Sequence, residues 1–376
     1  MGDDPGAVLA CDRRRGVARA VVAHDQLRVR RQPRDQGRKR PAQVALAVLS
    51  LKGMSKTFKQ EGHLVRALAD VTIDVRPGET LGLVGESGSG KTTLARILLG
   101  LTAPDAGSRV ELDGAPLASH VLRRDAAQVR AVQIVFQNPD TALNRRSSVR
   151  RIIGRAVTKL LHATRAARDE RILSLAHEVR FDERLIDVRP GQLSGGLKQR
   201  VAIARAFAGE PRLVVCDEPT SALDVSVQAA ILNLLADMQR NEGVTYIFIS
   251  HDLSVVRYLA DRIAVLYLGR LMELGDADRV FEGPHHPYTE SLLSAVPTID
   301  GSARARIQLQ GEIPSAVSPP PGCVFHTRCP RKLGEICETE EPPLSEPEPG
   351  HLMRCHIPID DLRRAQVTVP AAGDPS

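Results

Sequence analysis

No window of this 376-residue chain contains the long apolar run that a membrane-spanning helix needs, which is roughly 20 residues. The N-terminus opens on Asp3 and Asp4 ahead of scattered arginines, so the basic start and apolar core of a secretory signal are lacking too. A chain without signal or anchor is expected. Cysteines are few: of six, Cys11 and Cys216 lie far from the other four. That distribution argues against an extracellular disulfide scaffold and for a reducing compartment. The formal charge of +6 also lacks a basic body behind it. Residues 1–45 hold 11 Lys+Arg against 5 Asp+Glu, which leaves 40 of each in the remainder. With no clustered basic surface to track a phosphodiester backbone, nucleic-acid binding is not expected.

What is present is 42% hydrophobic residues, ample for a packed core. Residues 1–45 carry no aromatic side chain and no sustained periodicity, and read as a disordered basic tail; a docking or lipid-surface segment and a linker remnant are the alternatives. From Val48 the chain turns β-rich, with strands at Val71–Val75 and Thr80–Val84 around the turn Arg76-Pro77-Gly78. Short apolar runs at Val132–Phe136, Leu213–Cys216, Thr245–Ile249 and Ile263–Leu268 have the look of buried strands. Between them Ser226–Arg240 places Val227, Ile231, Leu234, Leu235 and Met238 on one helical face. The alternation predicts an α/β domain with a mostly parallel sheet. Residues 138–197 show no strand pattern and read as an inserted helical subdomain. After about Pro284 the composition shifts to Pro, Glu and Cys, marking a C-terminal module over 284–358, with 359–376 as a tail.

Three motifs carry chemistry. Gly85-Glu86-Ser87-Gly88-Ser89-Gly90-Lys91-Thr92 follows a predicted strand and opens a predicted helix, the context that a phosphate-binding loop requires. Its glycines let backbone N–H groups face phosphate oxygens, and the helix N-terminus adds positive partial charge. Lys91 is placed to reach the β and γ phosphates, and Thr92, followed by Thr93, to put a hydroxyl on Mg²⁺. Asp217 and Glu218 end the apolar run Leu213–Cys216, where carboxylates without a task would be costly. Asp217 suits the Mg²⁺ shell and Glu218 the polarisation of an attacking water. Ser194-Gly195-Gly196 then starts another apolar helix, giving a second phosphate-binding end that one ordinary nucleotide pocket does not need.

With that second end the sequence resembles the ATPase subunits of ABC transporters, over roughly Val48 to Gly283. The resemblance implies a P-loop NTPase core with an antiparallel β subdomain, a helical subdomain and a nucleotide-binding domain over 46–283. It implies a head-to-tail dimer in which Ser194, Gly195 and Gly196 touch nucleotide held mainly by the partner. By the same resemblance Gln137 senses Mg²⁺ and the membrane partner, Ser221 to Asp224 form the loop crossing the dimer interface, and His251 meets the γ phosphate. Phe58 is the aromatic expected to stack on adenine.

Downstream, Gly283-Pro284-His285-His286-Pro287-Tyr288-Thr289 resembles the C-terminal region of the oligopeptide and dipeptide importer branch. The stretch Asn138-Pro139-Asp140 does as well, with Ala142 and Arg145 departing from the pattern. The implied function is ATP hydrolysis that powers peptide import at the cytoplasmic face of a membrane. The implied partners are a second ATPase chain, a paralogue, two transmembrane permeases and an extracytoplasmic solute-binding protein. Import of nickel or another small solute, and a soluble ATPase outside transport, are the competing readings. Cys323, Cys329, Cys337 and Cys355 follow at spacings of five, seven and 17 residues. Four thiols in one short module suit Zn²⁺ or an iron-sulfur cluster, with His326, His351 and His356 as alternative ligands. Resemblance to the importer branch favours [4Fe-4S].

Overall fold

The computed structural model describes residues 47–60, 62–296 and 307–367. The tail expected over residues 1–45 lies outside them. An antiparallel sheet is built from β1 (Leu49–Gln60), β2 (His63–Val75), β4 (Arg109–Leu112) and β5 (Ala115–Pro116), in the order β2-β1-β4-β5. The larger sheet contains β3 (Thr80–Val84), β6 (Val132–Val135), β7 (Leu213–Asp217), β8 (Thr245–Ile249) and β9 (Arg262–Tyr267). Those five pair in parallel in the order β9-β3-β8-β7-β6. An antiparallel edge of β10 (Arg270–Asp276), β12 (His351–Arg354) and β11 (Leu344–Glu348) brings the sheet to eight strands. This is the α/β architecture expected from the alternation of strand and helix patterns.

Period-two alternation explains how continuous apolar runs serve a sheet covered on both faces. Val214 and Cys216 of β7, with Tyr246 and Phe248 of β8, join one hydrophobic cluster. Their neighbours Leu213, Val215, Ile247 and Ile249 join another on the opposite face. The first cluster is packed by Val149–Leu161, Arg165–Glu178 and Gly195–Phe207 through Ile153, Val157, Ile172, Leu175, Val201 and Ala204. These helices begin where sequence chemistry starts them. Ser148, Thr164 and Ser194 each accept a backbone N–H of the first turn. No strand occurs within 138–197.

The C-terminal segment is sewn into the main sheet. Glu273 of β10 is fully buried and takes two partners from that segment. Its Oε1 stands 2.7 Å from His351 Nε2 on β12, and its Oε2 accepts the His286 N–H at 3.0 Å. A buried carboxylate requires such partners, and they hold β12 against β10 at Glu273↔Met353 and Leu274↔Leu352. Of the stretch 359–376 expected as a tail, Ile359–Val367 forms a helix, and the rest lies outside the described residues. Leu362 is buried there, and the Gln366 amide pairs with both the N–H and the carbonyl of His285 at 2.8 Å. Neither contact is visible in composition, because each joins residues about 80 positions apart.

Burial pushes the His286 imidazole from its ordinary 6.5 down to about 4, although the Glu273 charge pulls the other way. The unfolded chain therefore binds a proton at higher pH than the folded one. Stability held above pH 6.5 should fall as pH drops from 6.5 toward 4, by up to about 1.4 kcal/mol per pH unit for this group. His286→Asn keeps an acceptor for the Tyr288 N–H, which His286 Nδ1 now receives at 3.0 Å. Urea unfolding of this variant should show a shallower pH slope in that window; an unchanged slope would remove His286 as its source.

Candidate active site

The loop Gly85–Gly90 leaves the carboxyl end of β3 and runs into the helix Lys91–Leu98. Crevices outside the carboxyl ends of parallel strands are where such sheets bind ligands. Gly90 has φ 104°, and a Cβ there would lie 2.5 Å from the Ala67 carbonyl oxygen, so only glycine fits this close approach. Lys91 folds back over the loop, donating to Gly85 O at 2.7 Å, Glu86 O at 2.9 Å and Ser89 Oγ at 3.1 Å. Its ammonium is thus held among the loop oxygens, at the place where the helix N-terminus presents free N–H groups.

A cavity of about 500 Å³ opens over this loop. Of the residues singled out in the sequence, Phe58, Gly85, Ser87, Gly88, Ser89, Gly90, Lys91, Thr92, Thr93, Glu218 and His251 line it. Val65, Ala67, Ile249 and Ala316 line it as well and carry no signal in the sequence. Glu218 sits just past the end of β7 with φ 45°, a left-handed backbone rare for its residue type. Two flanking side chains hold it: Gln137 Nε2 donates to Oε2 at 3.0 Å, and His251 Nδ1 stands 3.0 Å from Oε1. Gln137 also donates to Ser221 Oγ at 3.1 Å. Three strand ends, of β6, β7 and β8, therefore meet at one carboxylate.

The electrostatics are coupled across the cavity. Burial holds the Lys91 ammonium below its usual range, while Glu218, Asp217 and Glu86 pull it back up. Burial also raises the Asp217 carboxyl, and the neighbouring Glu218 charge raises it further, with Lys91 opposing. Two carboxylates crowded in this way gain from a hard cation beside them.

Glu86, Gln137 and Asp217 do not line this cavity, and neither do Ser194, Gly195, Gly196 and Asp224. Ser194 caps the helix Gly195–Phe207, and Asp224 caps Val225–Glu242 by accepting the Val227 N–H at 3.0 Å and the Ser226 hydroxyl at 2.7 Å. The two helix starts lie together, since a Cβ on Gly196 would meet Val227 Cγ1 at 2.6 Å.

Residues 68–221 match the family model described as ABC transporter, and residues 272–337 match that of the oligopeptide/dipeptide transporter C-terminal region. A putative peptide import ATP-binding protein of Brucella ovis is 44% identical over 309 residues, covering 82% of this chain and 97% of the relative. The oligopeptide transport ATP-binding protein AppF of Bacillus subtilis is 41% identical over 322 residues, with the same coverage of each chain. The chain belongs to the ATP-binding subunits of ABC transporters, in the oligopeptide/dipeptide branch. Among solved structures, cbiO1 of Clostridium perfringens, part of the ABC transporter complex cbiONQ, superimposes with a TM-score of 0.56 at 27% identity. That match covers 63% of this chain and 91% of cbiO1. The ATP-binding cassette MJ0796, dimeric in a post-hydrolysis state with ADP and Pi, gives 0.53 at 29% identity, covering 61% and 98%. As a member of this family the chain is an ATPase whose hydrolysis is coupled to transport, with ATP and Mg²⁺ as its expected ligands. Among its described residues no helix is long and apolar enough to cross a membrane.

The four C-terminal cysteines of this ABC ATPase approach one another. Burial raises the thiols of Cys329 to about 11 and Cys355 to about 12, with further elevation from the neighbouring cysteines. Burial likewise raises Cys323. All four are free thiols. Among the described residues, however, no group of three or more His, Cys, Asp or Glu side chains is arranged to hold a metal ion. The four-sulfur site expected from the sequence is not formed as a ligand shell. Cys323 and Cys337 belong to the main apolar cluster and Cys329 lies against it. The alternative ligands are also engaged: His351 with Glu273, His326 Nδ1 with Cys323 O at 2.9 Å, and His356 Nε2 with Glu340 O at 2.9 Å.

Gly90→Ala tests the loop directly. The forced left-handed backbone and the clash at Ala67 should cost about 1–3 kcal/mol, weakening Mg-ATP binding about tenfold or more. Fluorescence titration with a nucleotide analogue reads this, and wild-type affinity in the variant would show that the loop tolerates a side chain there.

Proposed function

We propose that this chain binds ATP in the cavity over the phosphate loop and that its hydrolysis powers peptide import through membrane permeases. The observation that carries the reading is the convergence of Lys91, the loop glycines and Glu218, flanked by Gln137 and His251, on one cavity. Peptide as cargo is supported by the relatives named for peptide and oligopeptide transport.

In this reading Lys91 and the loop N–H groups of Gly85 to Thr93 bind the β and γ phosphates, and Phe58 stacks on adenine. Thr92, Asp217 and Gln137 offer Mg²⁺ a hydroxyl, a carboxylate and an amide oxygen, a hard donor set that fits the ion; when bound, Mg²⁺ screens the phosphate charge. Glu218 accepts the proton of the attacking water, and Gln137 and His251 fix its two oxygens so that few orientations remain. His251 faces the γ phosphate. Residues 46–283 act as the nucleotide-binding domain, with 138–197 as its helical subdomain facing the permeases and 284–358 as the importer-type C-terminal module.

Because Ser194, Gly195, Gly196 and Asp224 lie off their own chain's cavity, we assign them to a second ATPase chain's nucleotide across a dimer. The similar cassette MJ0796, which is dimeric, supports a dimer. The full assembly we infer has a paralogous second ATPase, two permeases and an extracytoplasmic solute-binding protein, with this chain peripheral on the cytoplasmic face. For Cys323, Cys329, Cys337 and Cys355 the donor type suits a [4Fe-4S] cluster or Zn²⁺. The Ile357 N–H to Cys355 sulfur contact at 3.4 Å supports a ligand role, since such bonds tune ligated thiolates. No group of three or more potential metal ligands is found among the described residues, which does not support it.

Glu218→Gln should retain Mg-ATP affinity within a few-fold while lowering turnover by about 10²-fold or more. It should also accumulate a nucleotide-loaded dimer by size-exclusion chromatography, and retained hydrolysis would remove Glu218 from its role. Anaerobic purification with iron, sulfide and zinc analysis decides the cysteine site. About four irons with sulfide per chain, or about one zinc, would establish it, and neither metal would leave the thiols to packing alone.

A further inference from the structure

Glu86 differs from its neighbours in the phosphate loop. Its side chain does not line the cavity but is gripped by Arg328, 242 positions later in the chain. Arg328 Nη1 donates to Glu86 Oε2 at 2.6 Å and Nη2 to Oε1 at 3.2 Å, the two-pronged geometry of a strong charge-assisted pair. The Arg328 side chain is only 8% exposed and that of Glu86 25%. The backbone of the same residue is tied as well: the Glu86 N–H donates to the hydroxyl of fully buried Tyr288 at 2.8 Å. The Glu86 carbonyl, in turn, receives Lys91 Nζ at 2.9 Å. One residue thus joins the lysine of the nucleotide cavity to two side chains from the C-terminal segment.

Those two side chains are themselves fixed. Tyr288, Tyr267 and Phe325 form a triangle of rings with centroids 4.8 to 5.2 Å apart. Phe325 lies on the turn that presents Arg328, whose N–H donates to the Phe325 carbonyl at 3.0 Å. Arg331 on the next turn forms a two-pronged pair with Glu290 at 2.7 Å, clasping the helix Pro287–Ser294 that carries Tyr288. A third contact closes the far side of the cavity, where Ala316 lines the wall and its carbonyl accepts the Arg66 N–H of β2 at 3.1 Å.

The charge of Glu86 gives this arrangement a purpose. A carboxylate in a loop that must receive a triphosphate repels its ligand, and the effect is strong where water is partly excluded. Glu86 already acts on the Lys91 ammonium across this short range. Arg328 neutralises that carboxylate and turns it away from the cavity.

We propose that Arg328 and Tyr288 are positioning residues of the nucleotide site. Arg328 cancels and orients the Glu86 carboxylate, Tyr288 fixes the Glu86 N–H, and the C-terminal segment thereby sets the affinity of the phosphate loop for ATP. The inference rests on the nucleotide reading above and extends it to residues outside the loop.

Full-length wild type, Arg328→Ala, Glu86→Gln and the double variant should be compared for Mg-ATP affinity, KM and kcat at low and high salt. Arg328→Ala leaves a bare carboxylate beside the phosphates and should weaken binding about tenfold, mainly in KM and more at low salt. Glu86→Gln added to Arg328→Ala should recover most of that loss, because the repelling charge is gone. A purely structural Arg328 predicts no such rescue. The proposal is overturned by wild-type affinity in Arg328→Ala, or by a double variant as weak as Arg328→Ala alone. Where alanine fails to fold, Arg328→Met keeps the packed stem without the charge and the same comparison applies. A wild-type chain that binds no ATP would instead strike down the nucleotide reading itself.

Discussion

Lys91 and Glu218 place a cation and an anion in one cavity, with the Asp217 carboxylate interacting with both from beside it, and much of the fold is arranged to make that placement tolerable. Lys91 is pinned by the carbonyls of its own loop, and the carboxylates stand at the end of a strand buried on both faces. Glu218 adopts a left-handed backbone that few residues of its type accept, held by its N–H to Ile249 O at 3.0 Å and by the side chains of Gln137 and His251. The rigid parallel core is what keeps like charges at close range until a ligand arrives to balance them.

A fully buried carboxylate, Glu273, organises the opposite edge of the sheet. Its two partners, His351 and the His286 N–H, belong to the segment after β10, so satisfying this one charge draws the C-terminal residues into the central sheet. Once β12 is docked, the aromatic triangle around Phe325 brings the neighbouring turn against the phosphate loop. Buried polar groups thus act as fasteners whose geometry fixes which surfaces meet.

The phosphate loop and the strand ending in Asp217 were readable from sequence because their information is local: glycines, a lysine and an apolar run stand within a dozen residues of one another. Buried strands were readable for a similar reason, since alternating faces leave continuous apolar stretches at Thr245–Ile249 and Leu213–Cys216. The contacts of the C-terminal segment were not. Neither Arg328 nor Ala316 carries a local signal, because the contacts of each depend on a partner more than 240 residues away in one case and on a cavity wall in the other. The cysteine spacing was legible as four thiols in a small module, but spacing along the chain does not fix how their side chains are arranged; Cys323 and Cys337 are packed into the main apolar cluster.

Ribosomes release a chain from its beginning, and Ala316 and Arg328 emerge long after Lys91. A cavity whose wall includes Ala316, and whose loop carboxylate Glu86 pairs with Arg328, cannot be completed when the phosphate loop alone has been made. Order of synthesis therefore leaves this cavity incomplete until Ala316 and Arg328 have emerged.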